Sequence, residues 1–320
     1  MSMTAEIQET HPAAMSEAEW ALRVQLAAAY RLVDHFGWCA LIYAHLTARV
    51  PGPDDHFLIN PYGLNYDEIT ASNLVKIDLE GNKLDDSPYP VNQAGYVIHS
   101  AIHMDHAEDN QVVMHTHSRA GMAVAATTEG LLPISMDSTL FWGDLAYHDY
   151  EGPSLYPDER ERLVASLNGK HAMILRNHGL LTTGRTVAEC FVRLYRLEAA
   201  CQVQIDAGAA GTLNLISDNL AAKSGADVKR FTEGGGRTDQ GEAAPGFGES
   251  VLEGDATIET QVVGQVDHSA APAPDLHQQL VAVEQPLTRQ GIDRSPGWPS
   301  HGSGSGKGER SAKSKTSGRL

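Results

Sequence analysis

The chain has 320 residues, 42% of them hydrophobic, and a formal charge of −17 from 24 basic against 41 acidic side chains. That length holds one large domain or two ordinary ones, with apolar material enough for a substantial core. The acidic balance excludes a nucleic-acid surface and adhesion to anionic membranes, and no run approaches the ~18 apolar residues of a membrane span.

Residues 1–15 lack the basic start and apolar core of a secretory signal and read as a flexible N-terminus. A helix opens at Ser16-Glu17-Ala18-Glu19, a capping-box sequence, and continues through Leu22, Leu26, Tyr30 and Val33 to a stop at Gly37. Short strands follow at Leu46 to Val50, His56 to Asn60 and Leu74 to Asp78, the last closed by Glu80-Gly81-Asn82. A helix from Asn92 to His106 carries Val97, Ile98, Ala101 and Ile102 on one side. Val112 to His117 reads as a buried strand, and Ser118 to Thr128 as a helix of small residues. A helix from Pro157-Asp158 to Leu167, a strand over His171 to Leu175 and a long helix from Val187 to Asp206 complete the pattern. Irregular alternation of this kind predicts a central sheet covered by helices over residues 16–230, α/β or α+β.

From about residue 231 the composition turns to Gly, Pro, Ala and Ser without sustained periodicity. Such a segment buries too little apolar surface to offset its chain entropy, so 231–320 reads as a mostly disordered tail. Its end, with Lys307, Arg310, Lys313, Lys315 and Arg319, is mildly basic. Cys39, Cys190 and Cys201 have no zinc-type spacing and fit reduced thiols, hence a cytoplasmic protein.

The motif that carries chemistry is His115-Thr116-His117 at the end of the buried strand. Side chains two apart on a strand share a face, so the two imidazoles converge. His178 follows the second strand run in Arg176-Asn177-His178-Gly179. Three neutral imidazoles on a divalent metal, with a position left for water or substrate, is the arrangement of a catalytic zinc site. The pair alone fits two ordinary strand histidines better than a metal site, His178 makes the two readings even, and spacing does not show that the three meet.

Taken in order, the motifs resemble the class II aldolase/adducin family across roughly residues 18–210. They are Ala28-Ala29-Tyr30-Arg31-Leu32, Phe36-Gly37-Trp38, His45 to Val50, Leu58-Ile59-Asn60-Pro61-Tyr62-Gly63, Asn92 to His103, His115 to Ser118, Arg176 to Gly184 and Leu197 to Gln202. The resemblance implies a three-layer α/β/α domain with a central, mostly antiparallel sheet, and a homotetramer with sites near subunit interfaces. It implies that His115, His117 and His178 hold a divalent metal, zinc above others, and that the substrate is a small molecule.

The chain also departs from the family. The acid/base glutamate of the sugar-phosphate aldolases falls on Gly95, and the paired phosphate-binding serines fall on Gln93 and Ala94. The Thr-Pro-x-Gly phosphate loop is here Asn60-Pro61-Tyr62-Gly63, and the Trp- and Leu-rich closing segment of adducin-like relatives has no counterpart after Val228. The expected activity is therefore cleavage or decarboxylation of a small hydroxy-keto or keto acid through a metal-stabilised enolate, with His99, His103 or Tyr147 moving the proton. A glutamate restored at position 95 is expected to bring weak aldolase activity if it reaches the metal. The alternatives are an adducin-like cytoskeletal scaffold and, less favoured by an all-histidine set, an iron oxygenase.

Overall fold

The computed structural model describes residues 15–52, 55–152 and 158–233. The expectations for the flexible N-terminus and for nearly all of the tail lie outside these residues. The elements in chain order are α1 (Glu17–His35), β1 (His45–Arg49), β2 (Phe57–Ile59), β3 (Val75–Ile77), α2 (Gln93–Met104), β4 (Val112–Thr116), α3 (Arg119–Ala125), α4 (Met136–Thr139), β5 (Leu145–His148), α5 (Glu159–Leu167), β6 (Ala172–Leu175), β7 (Gly179–Gly184), α6 (Val187–Ala210) and α7 (Asp218–Glu233).

The strands form one seven-stranded sheet in the order β3-β2-β1-β4-β7-β6-β5. Neighbours run antiparallel except β5 and β6, which are parallel. The pleat sorts β4 between two cores, as a period of two demands. Val112 and Met114 pack with Leu46, Ala48, Ile174 and Leu180 beneath α1 and α6. Val113 packs with Met173 and Leu181 against Ile98 and Ile102 of α2 and Leu163 and Leu167 of α5. Helices therefore cover both faces, and the three-layer α/β/α expectation holds.

All of the expected helices and strands are present within a few residues. Half of the capping box forms: Ser16 Oγ accepts the Glu19 N–H at 3.1 Å. The Glu19 carboxylate is drawn instead to the cations within reach, taking Arg23 Nε at 3.1 Å and Lys76 Nζ at 2.8 Å. Four elements were not expected: α4, β5, β7 and α7. The β7 segment Gly-Leu-Leu-Thr-Thr-Gly has no alternation because it is buried along its whole length. The last helix, α7, packs on α4, where Ser224 and Thr139 hydroxyls meet at 2.8 Å, and it ends at Glu233, three residues past the expected boundary. Among the described residues no helix is long and apolar enough to cross a membrane.

Candidate metal centre and the histidine chain beside it

The odd-numbered residues of β4 point to the α2 and α5 face, and this direction carries His115 and then His117 into one cleft. His178 arrives from the turn between β6 and β7. Two local features set that turn. Asn177 is left-handed (φ +58°) and gives its N–H to Ala125 O at 2.9 Å, while the His178 N–H closes onto Leu175 O at 3.0 Å. Gly179 must be glycine, because a Cβ there would lie 2.3 Å from the Thr116 carbonyl oxygen and 3.2 Å from both His115 and His117.

The three rings meet. Their centroids are 4.6 Å (His115–His117), 4.7 Å (His115–His178) and 4.8 Å (His117–His178) apart. One ligand atom from each falls within 4.8 Å of the others. His115 Nδ1–H donates to Leu180 O at 2.8 Å, so its Nε2 is the bare nitrogen, and it faces His117 Nε2 at 2.8 Å. Burial pushes all three pKa values down, with the neighbouring imidazoles adding to the effect at His115 and His178; His178 falls to about 4. A proton on His117 Nε2 can bridge this pair, and a divalent cation would take its place. The donor set fits a divalent ion such as zinc, and the Leu180 carbonyl holds the His115 tautomer as a second shell does. His115 is buried while His117 and His178 are half-buried, so one side of the cluster is open.

The structure gathers a second histidine group directly beside the first. In the β1–β4 ladder His45 lies opposite His115, with ring centroids 5.1 Å apart. Helix α2 crosses over β1 and sets Gly95, His99 and His103, one helical turn apart, above His45 and Thr47. His45 Nδ1 is 2.9 Å from His99 Nε2, and Thr47 Oγ1 is 2.6 Å from His99 Nδ1 and 2.7 Å from His103 Nε2. The chain ends where His103 Nδ1–H donates to the Asn110 carbonyl at 2.7 Å. All four side chains are buried. Burial holds the three histidines well below the ordinary imidazole range, His103 at about 3.

His99 and His103 thus lie in this interior chain rather than against the three-histidine cluster. Tyr147 does not join either group. It sits on the opposite face of the sheet, stacked under Arg176 at 4.6 Å, and its hydroxyl accepts the Leu131 N–H at 3.0 Å. The sequence reading passed over His45 and Thr47 as site residues. Their signal was present in the alternation of His45, Thr47 and Arg49 with Leu46 and Ala48, where polar side chains occupy one face of a buried strand.

Gly95 has a structural role of its own. A Cβ at position 95 would lie 2.9 Å from His45 Cγ and Cδ2 and 3.1 Å from Ile59. The His45 ring fills the space that a side chain at 95 would need. The expectation that a glutamate restored at 95 reaches the metal therefore meets an occupied site. Asn60, at the place of the phosphate-loop threonine, is fully buried; its Oδ1 lies 2.9 Å from the Tyr30 hydroxyl, and its Nδ2 has no partner among the described residues.

Comparison with known proteins agrees with this fold. Residues 24–205 match the model of the Class II Aldolase and Adducin N-terminal domain. A crystal structure of an aldolase II superfamily protein from Pseudomonas syringae is 47% identical, with a TM-score of 0.68, covering 78% of this chain and 94% of that one. The L-fuculose 1-phosphate aldolase from Glaciozyma antarctica is 31% identical, with a TM-score of 0.65, covering 80% of this chain and 96% of that one. Alpha-adducin of Mus musculus is 45% identical over 210 residues, which are 63% of this chain and 28% of the adducin. With more than half its length matched, and with the sheet and histidine cluster described above, this chain belongs to the class II aldolase and adducin N-terminal domain family.

Proposed function

We propose that this chain is a metal-dependent carbon–carbon lyase acting on a small hydroxy-keto or keto acid, with His115, His117 and His178 as the metal ligands. The observation that carries this reading is the convergence of three neutral imidazoles within 4.8 Å. A bound divalent ion, zinc in the first instance, supplies Lewis acidity toward a substrate carbonyl oxygen. The protein's own groups do the rest. The Leu180 carbonyl fixes the His115 ring, and the open side at His117 and His178 admits a small molecule. His45, backed by His99 and His103, borders the cleft where the family's glutamate is missing. Tyr147 receives no role in this scheme.

The substrate is unphosphorylated in this proposal. Gly95 brings no carboxylate, Ala94 brings no hydroxyl, and Asn60 is fully buried. Loss of general acid–base assistance costs about 10²–10⁴-fold in rate, so fuculose or ribulose phosphate should be poor substrates. As with its family, we place the chain in a homotetramer in the cytoplasm. A second reading, an adducin-like binding module, is favoured by the 45% identity to alpha-adducin. The three-histidine cluster weighs against it, since a scaffold has no use for an open metal site.

The test is elemental analysis of the purified chain, followed by turnover assays before and after chelation on hydroxy-keto acids, β-keto acids and sugar phosphates. About one zinc per chain and chelator-sensitive loss of a keto acid are expected. Rapid, chelator-sensitive turnover of a sugar phosphate would reverse the substrate assignment, and full activity without metal would overturn the class of reaction.

A further inference from the structure

We propose that His45 is the substrate-contacting hydrogen-bond acceptor of this site, presenting a bare Nε2 to a hydroxyl of the bound substrate, and that Thr47, His99 and His103 are positioning residues that lock it in that tautomer. This rests on the reading of the neighbouring cluster as a metal and substrate site.

Hydrogen-bond direction sets each ring in turn. A backbone carbonyl only accepts, so the Asn110 oxygen obliges His103 to carry its proton on Nδ1. The Nε2 of a neutral His103 then has only a lone pair, and Thr47 Oγ1–H must donate to it. Thr47 has one proton. Its contact with His99 Nδ1 therefore requires His99 to be the donor, which leaves His99 Nε2 bare and obliges His45 to donate from Nδ1. One anchor thus sets three tautomers in sequence, as long as the rings stay neutral, and burial without a neighbouring carboxylate in the chain favours that state. The last ring holds a lone pair on Nε2, with no protein hydrogen bond to it among the described residues.

Position completes the case. His45 is the ladder neighbour of His115 at 5.1 Å between ring centroids, so the end of the chain abuts the three-histidine cluster. It is there because position 95 is glycine: a Cβ would collide with the ring at 2.9 Å. The same exchange that removes a carboxylate acceptor from α2 admits an imidazole acceptor from β1. A histidine bare at Nε2 accepts a substrate hydroxyl but rejects a second acceptor, which selects a hydroxy-keto acid over the matching keto acid.

Two measurements test this on the full-length protein. Long-range proton–nitrogen correlation spectra of histidine-labelled, metal-free protein report which ring nitrogen carries each proton. His45, His99 and His103 should all be Nδ1–H in the wild type, and Thr47→Val should scramble His99 and His45 while Thr47→Ser restores them. A His45 protonated on Nε2, or tautomers unmoved by Thr47→Val, overturns the chain. For the substrate contact, zinc-loaded protein should bind hydroxypyruvate about tenfold more tightly than pyruvate, the worth of one hydrogen bond. That preference should vanish in His45→Phe, shrink in Thr47→Val and persist in Thr47→Ser, with zinc affinity unchanged throughout. An equal preference in His45→Phe sinks the contact. Failure of the wild type to bind zinc would instead sink the metal reading and the substrate contact with it, and the spectra would still decide the direction of the chain.

Discussion

Two groups of three histidines lie side by side on one face of the sheet, and they differ in how their nitrogens are satisfied. In the group of His45, His99 and His103, five of the six ring nitrogens have a protein partner, and the row ends at a backbone carbonyl. In the group of His115, His117 and His178, one nitrogen is tied to a carbonyl and the ligand atoms are left facing one another. The same side chain is a structural link in one place and a candidate ligand in the other. What separates them is the presence of a donor or acceptor opposite each ring nitrogen.

The largest effect that would sharpen this contrast is metal loss. His117→Ala should take the zinc content from about one per chain to near zero while the metal-free protein keeps its thermal midpoint, because His117 is half-buried at the end of a preformed strand. His103→Ala should do the reverse, keeping zinc and losing stability. Equal zinc loss in both variants would erase the distinction between the groups.

Acid should come next. His103 and His178 have folded pKa values of about 3 and about 4, below the ordinary 6.5. Between those values and 6.5 the unfolded chain binds the extra protons, so stability is whole above pH 6.5 and drains as pH falls. Each such histidine contributes a slope of up to about 1.4 kcal/mol per pH unit. Thermal melts of metal-free protein between pH 7 and 5 should show a steep decline, and a flat profile would mean that the buried rings take up protons in the folded state as readily as in the unfolded one.

A smaller cost attaches to the ring that links the two groups. Gly95→Ala should destabilise by roughly 1–3 kcal/mol in urea titrations through overpacking against His45, and Gly95→Glu by more, without gain of sugar-phosphate cleavage. Retained stability with new aldolase activity in Gly95→Glu would show that the His45 ring swings aside. A comparable effect is expected from Thr47. Thr47→Val leaves His99 Nδ1 and His103 Nε2 unpaired in the interior, worth about 1–3 kcal/mol, and Thr47→Ser should restore most of it.

The chain's periodicities determined a good deal unaided. The helical repeat of α1, the β-branched run of β4 and the small residues of α3 are local patterns, and each formed close to its expected limits. The two-residue spacing of His115 and His117 fixed their common face, since a strand's pleat is a local property. Of the elements that were missed, β7 shows no alternation because it is buried along its whole length, and α4 is a single turn of four residues, too short to carry a period. Only the tertiary structure decided that the β6–β7 turn brings His178 to the other two, that β1 pairs with β4 so that His45 meets His115, and that α2 lies across β1. Those are relations between segments far apart in the chain, 52 residues in the case of Thr47 and His99. Nor does the sequence show that Gly95 is vacant because His45 fills its space. A missing side chain is legible in the letters, but the neighbour that replaces it is fixed by packing.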